Sequence, residues 1–143
     1  MIALLRKATA LNASDRELLR AAFAAVMHAR IAAWILPWRR FATSTKTAAN
    51  ARHVPQSPSR IEWAVRVASR AVPGTTCLTQ SLALHRLLSD YRHSSIVQVG
   101  VGNRHGRFTA HAWVEHDGQL LLATEEDVSA YTRVFTWPQS RSD

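Results

Sequence analysis

The sequence predicts an α+β protein in which N-terminal helices are followed by a small antiparallel sheet. Two observations support this fold class. Apolar residues recur at three- and four-residue steps up to about residue 90, whereas residues 97–123 alternate between apolar and polar side chains around turn signals. A chain of 143 residues is most simply one domain. The helices are then expected to cover one face of the sheet.

Residues 1–58 predict a basic helix and a linker, packed on or leading into a core formed by residues 59–143. Ser14-Asp-Arg-Glu17 has the spacing of a capping box, and an apolar stripe then continues towards Pro37. Residues 41–58 have no sustained period and contain Thr, Ser, Asn and Pro, which is typical of a linker or loop.

The core region predicts two more helices and a sheet. Ser59-Arg-Ile-Glu62 has capping-box spacing and predicts a helix that ends at Pro73-Gly74, and Thr75 or Thr76 can cap the next one. The expected elements are a helix from Cys77 to about Asp90, strands at 97–101, 107–116 and 119–123, a turn at 102–106, a hairpin at Asp117-Gly118, and a helical turn past Glu125 carrying Val128, Tyr131 and Val134.

The excess of positive charge is confined to the first part of the chain. Residues 1–60 contain ten Lys and Arg against two acidic residues, and residues 61–143 contain eight of each, so the net charge of +8 lies in the first 60. Such an excess favours an acidic partner, although a solvated basic face is an equal alternative. We expect no nucleic-acid partner because no recognition motif is present, and no membrane span because Arg20, His28 and Arg30 interrupt the most apolar stretch.

Cys77 is the only cysteine, and it lies at the start of a predicted helix. The helix dipole and the unpaired N–H groups of the first turn favour a thiolate there and could stabilise an oxyanion. His111 lies on a predicted strand, on the same face as Trp113 and Glu115. A helix-borne cysteine followed by a strand-borne histidine is the arrangement of papain-type thiol hydrolases, whereas a lone cysteine by itself is more often a small buried hydrophobe.

Other kinds of site find no support in the sequence. The remaining histidines lack the paired spacing of a zinc site, and no P-loop or dinucleotide-binding fingerprint is present, so no metal and no cofactor are expected. One cysteine forms no internal disulfide, and the N-terminal apolar run is too short for a secretory signal. These features predict a cytoplasmic protein.

Two segments together resemble a known family. "CLTQSLALHRLL", followed about thirty residues later by "AHAWVEHDGQLLL", resembles the transglutaminase-like, papain-like leader peptidases of lasso-peptide biosynthesis, the family of the microcin J25-processing protein. The resemblance implies that Cys77 is the nucleophile and His111 the general base of a cysteine protease. The substrate would be a ribosomally made precursor peptide, from which the enzyme removes the leader.

The resemblance also implies partners. Removal of the leader would free an amino group for a separate ATP-dependent macrolactam synthetase. Some members of the family carry a winged-helix leader-recognition domain, but the first 60 residues here are predicted to be helix and linker. A separate leader-recognition protein is therefore expected to present the precursor.

The third catalytic residue departs from the family's pattern. The family usually places a carboxylate opposite the histidine on the return strand, where a three-residue hairpin loop gives Ala123 and a two-residue loop gives Thr124. Glu125 is the nearest acid on the face of Ala123, so we expect it to be the third member. A non-catalytic scaffold of the same fold that docks an acidic partner is the alternative function. The sequence does not separate hydrolysis from acyl transfer to an amine.

Overall fold

The computed structural model describes residues 11–35 and 55–137. The helices are α1 (Ala13–Ile35), α2 (Pro58–Ala71), α3 (Cys77–Asp90) and α4 (Glu125–Ser129). The strands are β1 (Ile96–Arg104), β2 (Arg107–His116), β3 (Gln119–Leu121) and β4 (Thr132–Trp137). The predicted order, helices first and then a small antiparallel sheet, is confirmed.

The first two helices begin one or two residues earlier than predicted. The Asn12 side chain accepts from the backbone N–H of Asp15 at the start of α1, while the hydroxyl of Ser14 accepts from Gln56 instead. Ser57 caps α2, and Pro58 occupies the first helical position, where its missing N–H has no cost. Both predicted capping boxes were therefore wrong, because a better cap stands just before each.

The sheet is built from two tight hairpins and one returning strand. Its order is β3-β2-β1-β4, and every neighbouring pair is antiparallel. Asp117 and Gly118 form a two-residue loop with φ of 46° and 78°, as the Asp-Gly signal predicts. His105 and Gly106 form a similar loop between β1 and β2, so these strands extend further than the predicted five-residue turn allowed.

One face of the sheet, here called the helical face, packs against the helices. Val97, Val114 and Leu121 point to this side and join a hydrophobic core with α1, α2 and α3. Helix α3 lies centrally, in contact with α1, α2, β1 and β2. Its buried apolar residues are Leu82, Ala83, Leu84, Leu87 and Leu88. Burial of each leucine contributes about 2 kcal/mol of hydrophobic free energy.

Helix α1 belongs to this core along one side only. Leu18, Ala22 and Val26 are buried against α2 and α3. Near its end, Trp34 and Ile35 are exposed. By length and mean hydropathy alone α1 would also qualify as a membrane-spanning helix, a test that core helices pass as well.

Two parts of the C-terminal prediction need correction, the return strand and the helical turn. The return strand stops at Leu121 instead of Ala123, because Leu122 adopts φ of 64° and leaves the extended conformation. The predicted helical turn is α4. Of the residues predicted for that turn, only Val128 lies in α4: Tyr131 follows the helix, and Val134 lies in β4, which returns to pair with β1. The predicted linker falls mainly outside the described residues.

Candidate active site

Cys77 is the first residue of α3 and is partly buried. Thr76 caps the helix, with its hydroxyl accepting from the backbone N–H of Thr79 at 3.2 Å. The N–H of Gln80 is bonded to the carbonyl of Thr76, so the helix offers no acceptor to the N–H groups of Cys77 and Leu78. A carbonyl oxygen attacked by the thiolate could receive hydrogen bonds from them.

His111 lies in the middle of β2, opposite Gly100 of β1. Strand alternation places it with Trp113 and Glu115 on the face opposite the helical face, here called the outer face. The imidazole lies 5.6 Å from the ring of Tyr131 and 6.1 Å from that of Trp113, measured between ring centroids. The prediction that His111, Trp113 and Glu115 share one face agrees with the observed register.

The structure places Cys77 and His111 on elements that pack together, but it forms no hydrogen bond between them among the described residues. Helix α3 contacts β2, and β3 pairs with β2 only from Val114 to His116. Beside His111, the edge of β2 that faces away from β1 therefore has no partner strand within residues 11–35 and 55–137. Helix α3 packs on the helical face whereas His111 lies on the outer face, so the thiol and the imidazole are not joined in this arrangement. Catalytic hydrogen bonds often tighten only when substrate binds.

Glu125 does not occupy the predicted position on the return strand. It is the first residue of α4 and is exposed. The two-residue hairpin would have placed Thr124 across from His111, but β3 has already ended, and Thr124 instead caps α4. The carboxylate expected opposite the histidine is therefore absent from the described part of the strand. Among the described residues, no contact joins Glu125 to Cys77 or His111.

Asp127 is the acidic residue that the sequence analysis missed. It completes a capping box with Thr124, whose backbone N–H and hydroxyl both donate to its Oδ2. These hydrogen bonds lower the pKa of Asp127, and the charges of Arg104 and His111 lower it further. The hydrogen bonds of Asp127 thus go to Thr124, and its negative charge lies in the same region of the outer face as His111. The capping-box spacing Thr124-x-x-Asp127 was the available signal.

The other acidic candidates have structural partners. Glu115 accepts from the indole N–H of Trp113 at 3.2 Å and from Arg133 at 2.7 Å. Asp117 occupies the hairpin turn, as predicted, 3.3 Å from His116. Both carboxylates are thus explained by packing and turn formation. Within residues 11–35 and 55–137, no group of three His, Cys, Asp or Glu side chains could hold a metal ion.

Comparison with known proteins identifies one family. The transglutaminase-like superfamily matches residues 4–136, which is nearly the whole chain. This superfamily typically contains members resembling cysteine proteases. No curated protein and no solved structure matches the sequence.

Proposed function

We propose that this chain, which belongs to the transglutaminase-like superfamily, is a cysteine peptidase that removes the leader from a ribosomally made lasso-peptide precursor. Cys77 is the nucleophile and His111 the general base. The observation that carries the proposal is the position of Cys77 in the first turn of α3, beside N–H groups without an intrahelical acceptor. The only cysteine of the chain would be poorly placed there if its sole role were to fill the core.

The reaction would proceed through a thioester. The thiolate of Cys77 attacks the scissile carbonyl, and the carbonyl oxygen receives hydrogen bonds from the first-turn N–H groups of α3. The imidazolium of His111 gives its proton to the leaving amine, which departs on the core peptide. Water, deprotonated by His111, then attacks the thioester and releases the leader with a free carboxylate. The new amine is the group that an ATP-dependent macrolactam synthetase would acylate.

Two further features support a peptide substrate and a partner. The edge of β2 that β3 leaves unpaired could bind an extended peptide by strand addition next to His111. Arg16 and Arg20 on α1 contribute to the basic half of the chain, which is suited to an acidic leader or to a separate leader-recognition protein. The setting would be the cytoplasm, where a free thiol stays reduced.

The test is cleavage of a short precursor encoded beside the gene for this chain, with and without an adjacent recognition protein. We expect two fragments whose masses sum to the precursor plus one water. Cys77→Ser should abolish cleavage while circular dichroism stays unchanged. A product carrying an added primary amine would indicate acyl transfer. An intact precursor that still binds, with the same result for Cys77→Ser, would favour the non-catalytic scaffold.

A further inference from the structure

The imidazole of His111 lies beside two aromatic rings on the outer face. The ring of Trp113 is nearly parallel to it, with 27° between the planes, and that of Tyr131 is tilted by 34°. Both centroid separations are within the range of favourable aromatic contacts. Trp113 is completely buried and hydrogen-bonded to Glu115, so one of the two neighbours is rigidly held.

Tyr131 is held against β1 by two glycines. A Cβ added to Gly100 would lie 2.8 Å from the Cβ of Tyr131, and one added to Gly102 would lie 2.5 Å from the carbonyl oxygen of Ala130. The chain that follows α4 therefore crosses the outer face so close to Gly100 and Gly102 that a side chain at either position would clash with it. Since Gly100 is also the partner of His111, this close approach directs Tyr131 towards the imidazole.

The segment from α4 to Tyr131 also carries a charged side chain, Asp127, to the outer face. Arg104 lies 4.0 Å from Asp127 and 5.8 Å from the Tyr131 ring. The capping box fixes Asp127 at the start of α4, and Tyr131 follows two residues after its end. Helix α4 and Tyr131 thus form a short unit over the outer face, anchored at both ends.

We propose that Tyr131 is a positioning residue for His111, restricting the imidazole through ring contact where the return strand supplies no carboxylate. The inference rests on the proposed function, because it matters for catalysis only if His111 is the base. An imidazole that rotates freely spends less time aligned with the thiol, so the effect should fall on kcat. KM should change little, since Tyr131 is not required to touch the peptide.

The test compares Tyr131→Leu with Tyr131→Phe in precursor cleavage. We expect Tyr131→Leu to lower kcat by about 10- to 100-fold with KM within about twofold, as misplacement of a catalytic group does. Tyr131→Phe keeps the ring and should restore most of the lost kcat. Tyr131→Met is the second variant if the leucine variant does not fold, as judged by circular dichroism. Equal kcat for the leucine and phenylalanine variants would overturn the proposal.

An independent measurement needs no activity. The ring protons of His111 in the proton NMR spectrum should be displaced by the ring current of Tyr131, and they are assigned by their loss in His111→Gln. In Tyr131→Leu these signals should move, while those of exposed His105 stay in place. Unmoved signals would overturn the proposal. If the wild type cleaves nothing and the signals still move, the proposed function fails and the ring contact remains.

Discussion

The two faces of the sheet use the same strands but are held in different ways. On the helical face, Val97 and Val114 are buried in an apolar core that three helices cover. On the outer face, Trp113 and Glu115 are held by directional contacts, and the cover that the described residues supply is α4 and Tyr131. Apolar burial tolerates a change of partner, whereas directional contacts fix orientation. We therefore expect stability to depend chiefly on the first face and the orientation of the proposed general base, His111, on the second.

The largest expected effect is on the outer face. His111→Ala should lower kcat/KM for precursor cleavage by at least about 1000-fold, because the thiol loses its proton acceptor. Adding Cys77→Ala should cost little more, since nucleophile and base act as a unit. The melting temperature of each variant is the control. Multiplicative losses in the double variant would mean that His111 acts elsewhere, for example in peptide binding.

On the helical side, Leu84→Ala should lower the free energy of unfolding by about 3 kcal/mol, because Leu84 is completely buried and truncation leaves a cavity. The matched control is Val134→Ala on β4, which is 57% exposed and should cost less than about 0.5 kcal/mol. Urea denaturation of both variants measures the difference. Similar losses would contradict the assignment of stability to the helical face.

His85 makes the helical side sensitive to acid. Burial lowers its pKa from 6.5 to about 4, partly offset by hydrogen bonding to Ser95. Between pH 4 and pH 6.5 the unfolded chain therefore binds a proton at His85 that the folded protein does not. The contribution of His85 to the free energy of unfolding is fully present above pH 6.5 and falls as the pH drops towards 4. The loss from this group at pH 4 should be about 3 kcal/mol.

The measurement is the free energy of unfolding at pH 7 and pH 4 for wild type and His85→Gln. We expect a smaller pH-dependent loss in the variant, while His105→Gln, at an exposed position, should behave as wild type. An unchanged pH dependence in His85→Gln would mean that the ring is not buried as the structure places it.

The two acids of α4 should differ in importance. Asp127→Asn should lower kcat/KM by about tenfold, because it removes a negative charge that acts on His111 from a partly exposed position. Glu125→Gln should change it by less than about twofold, since the exposed Glu125 belongs to no contact of the site. Measuring kcat/KM of both variants under the same conditions decides between Asp127 and Glu125. A larger loss for Glu125→Gln would restore the assignment made from the sequence.

The smallest expected effect concerns Ser81, one turn after Cys77. Its hydroxyl is completely buried and has no hydrogen-bonding partner among the described residues. Ser81→Ala should therefore raise the free energy of unfolding by up to about 1 kcal/mol. Ser94→Ala, at an exposed position, should change it by only a few tenths. A clear destabilisation by Ser81→Ala would show that the hydroxyl does find a partner.

Much of the fold was predictable because the signals are local. The Asp117-Gly118 hairpin follows from residues that tolerate positive φ, and the start of α3 follows from a threonine cap and an apolar stripe. The position of Cys77 in a first turn follows from the same pattern. Strand alternation also put His111 and Trp113 on one face before the partner strands were known.

The sequence by itself thus determined the element order, the helix that carries the thiol and the strand that carries the imidazole. Only the tertiary structure decided what surrounds the imidazole. Leu122 turns out of β3 and removes the expected acid position, while the close approach of Ala130–Tyr131 to Gly100 and Gly102 brings Tyr131 to His111. Caps and turns depend on a few consecutive residues, whereas these contacts join segments about thirty residues apart, which no local pattern records.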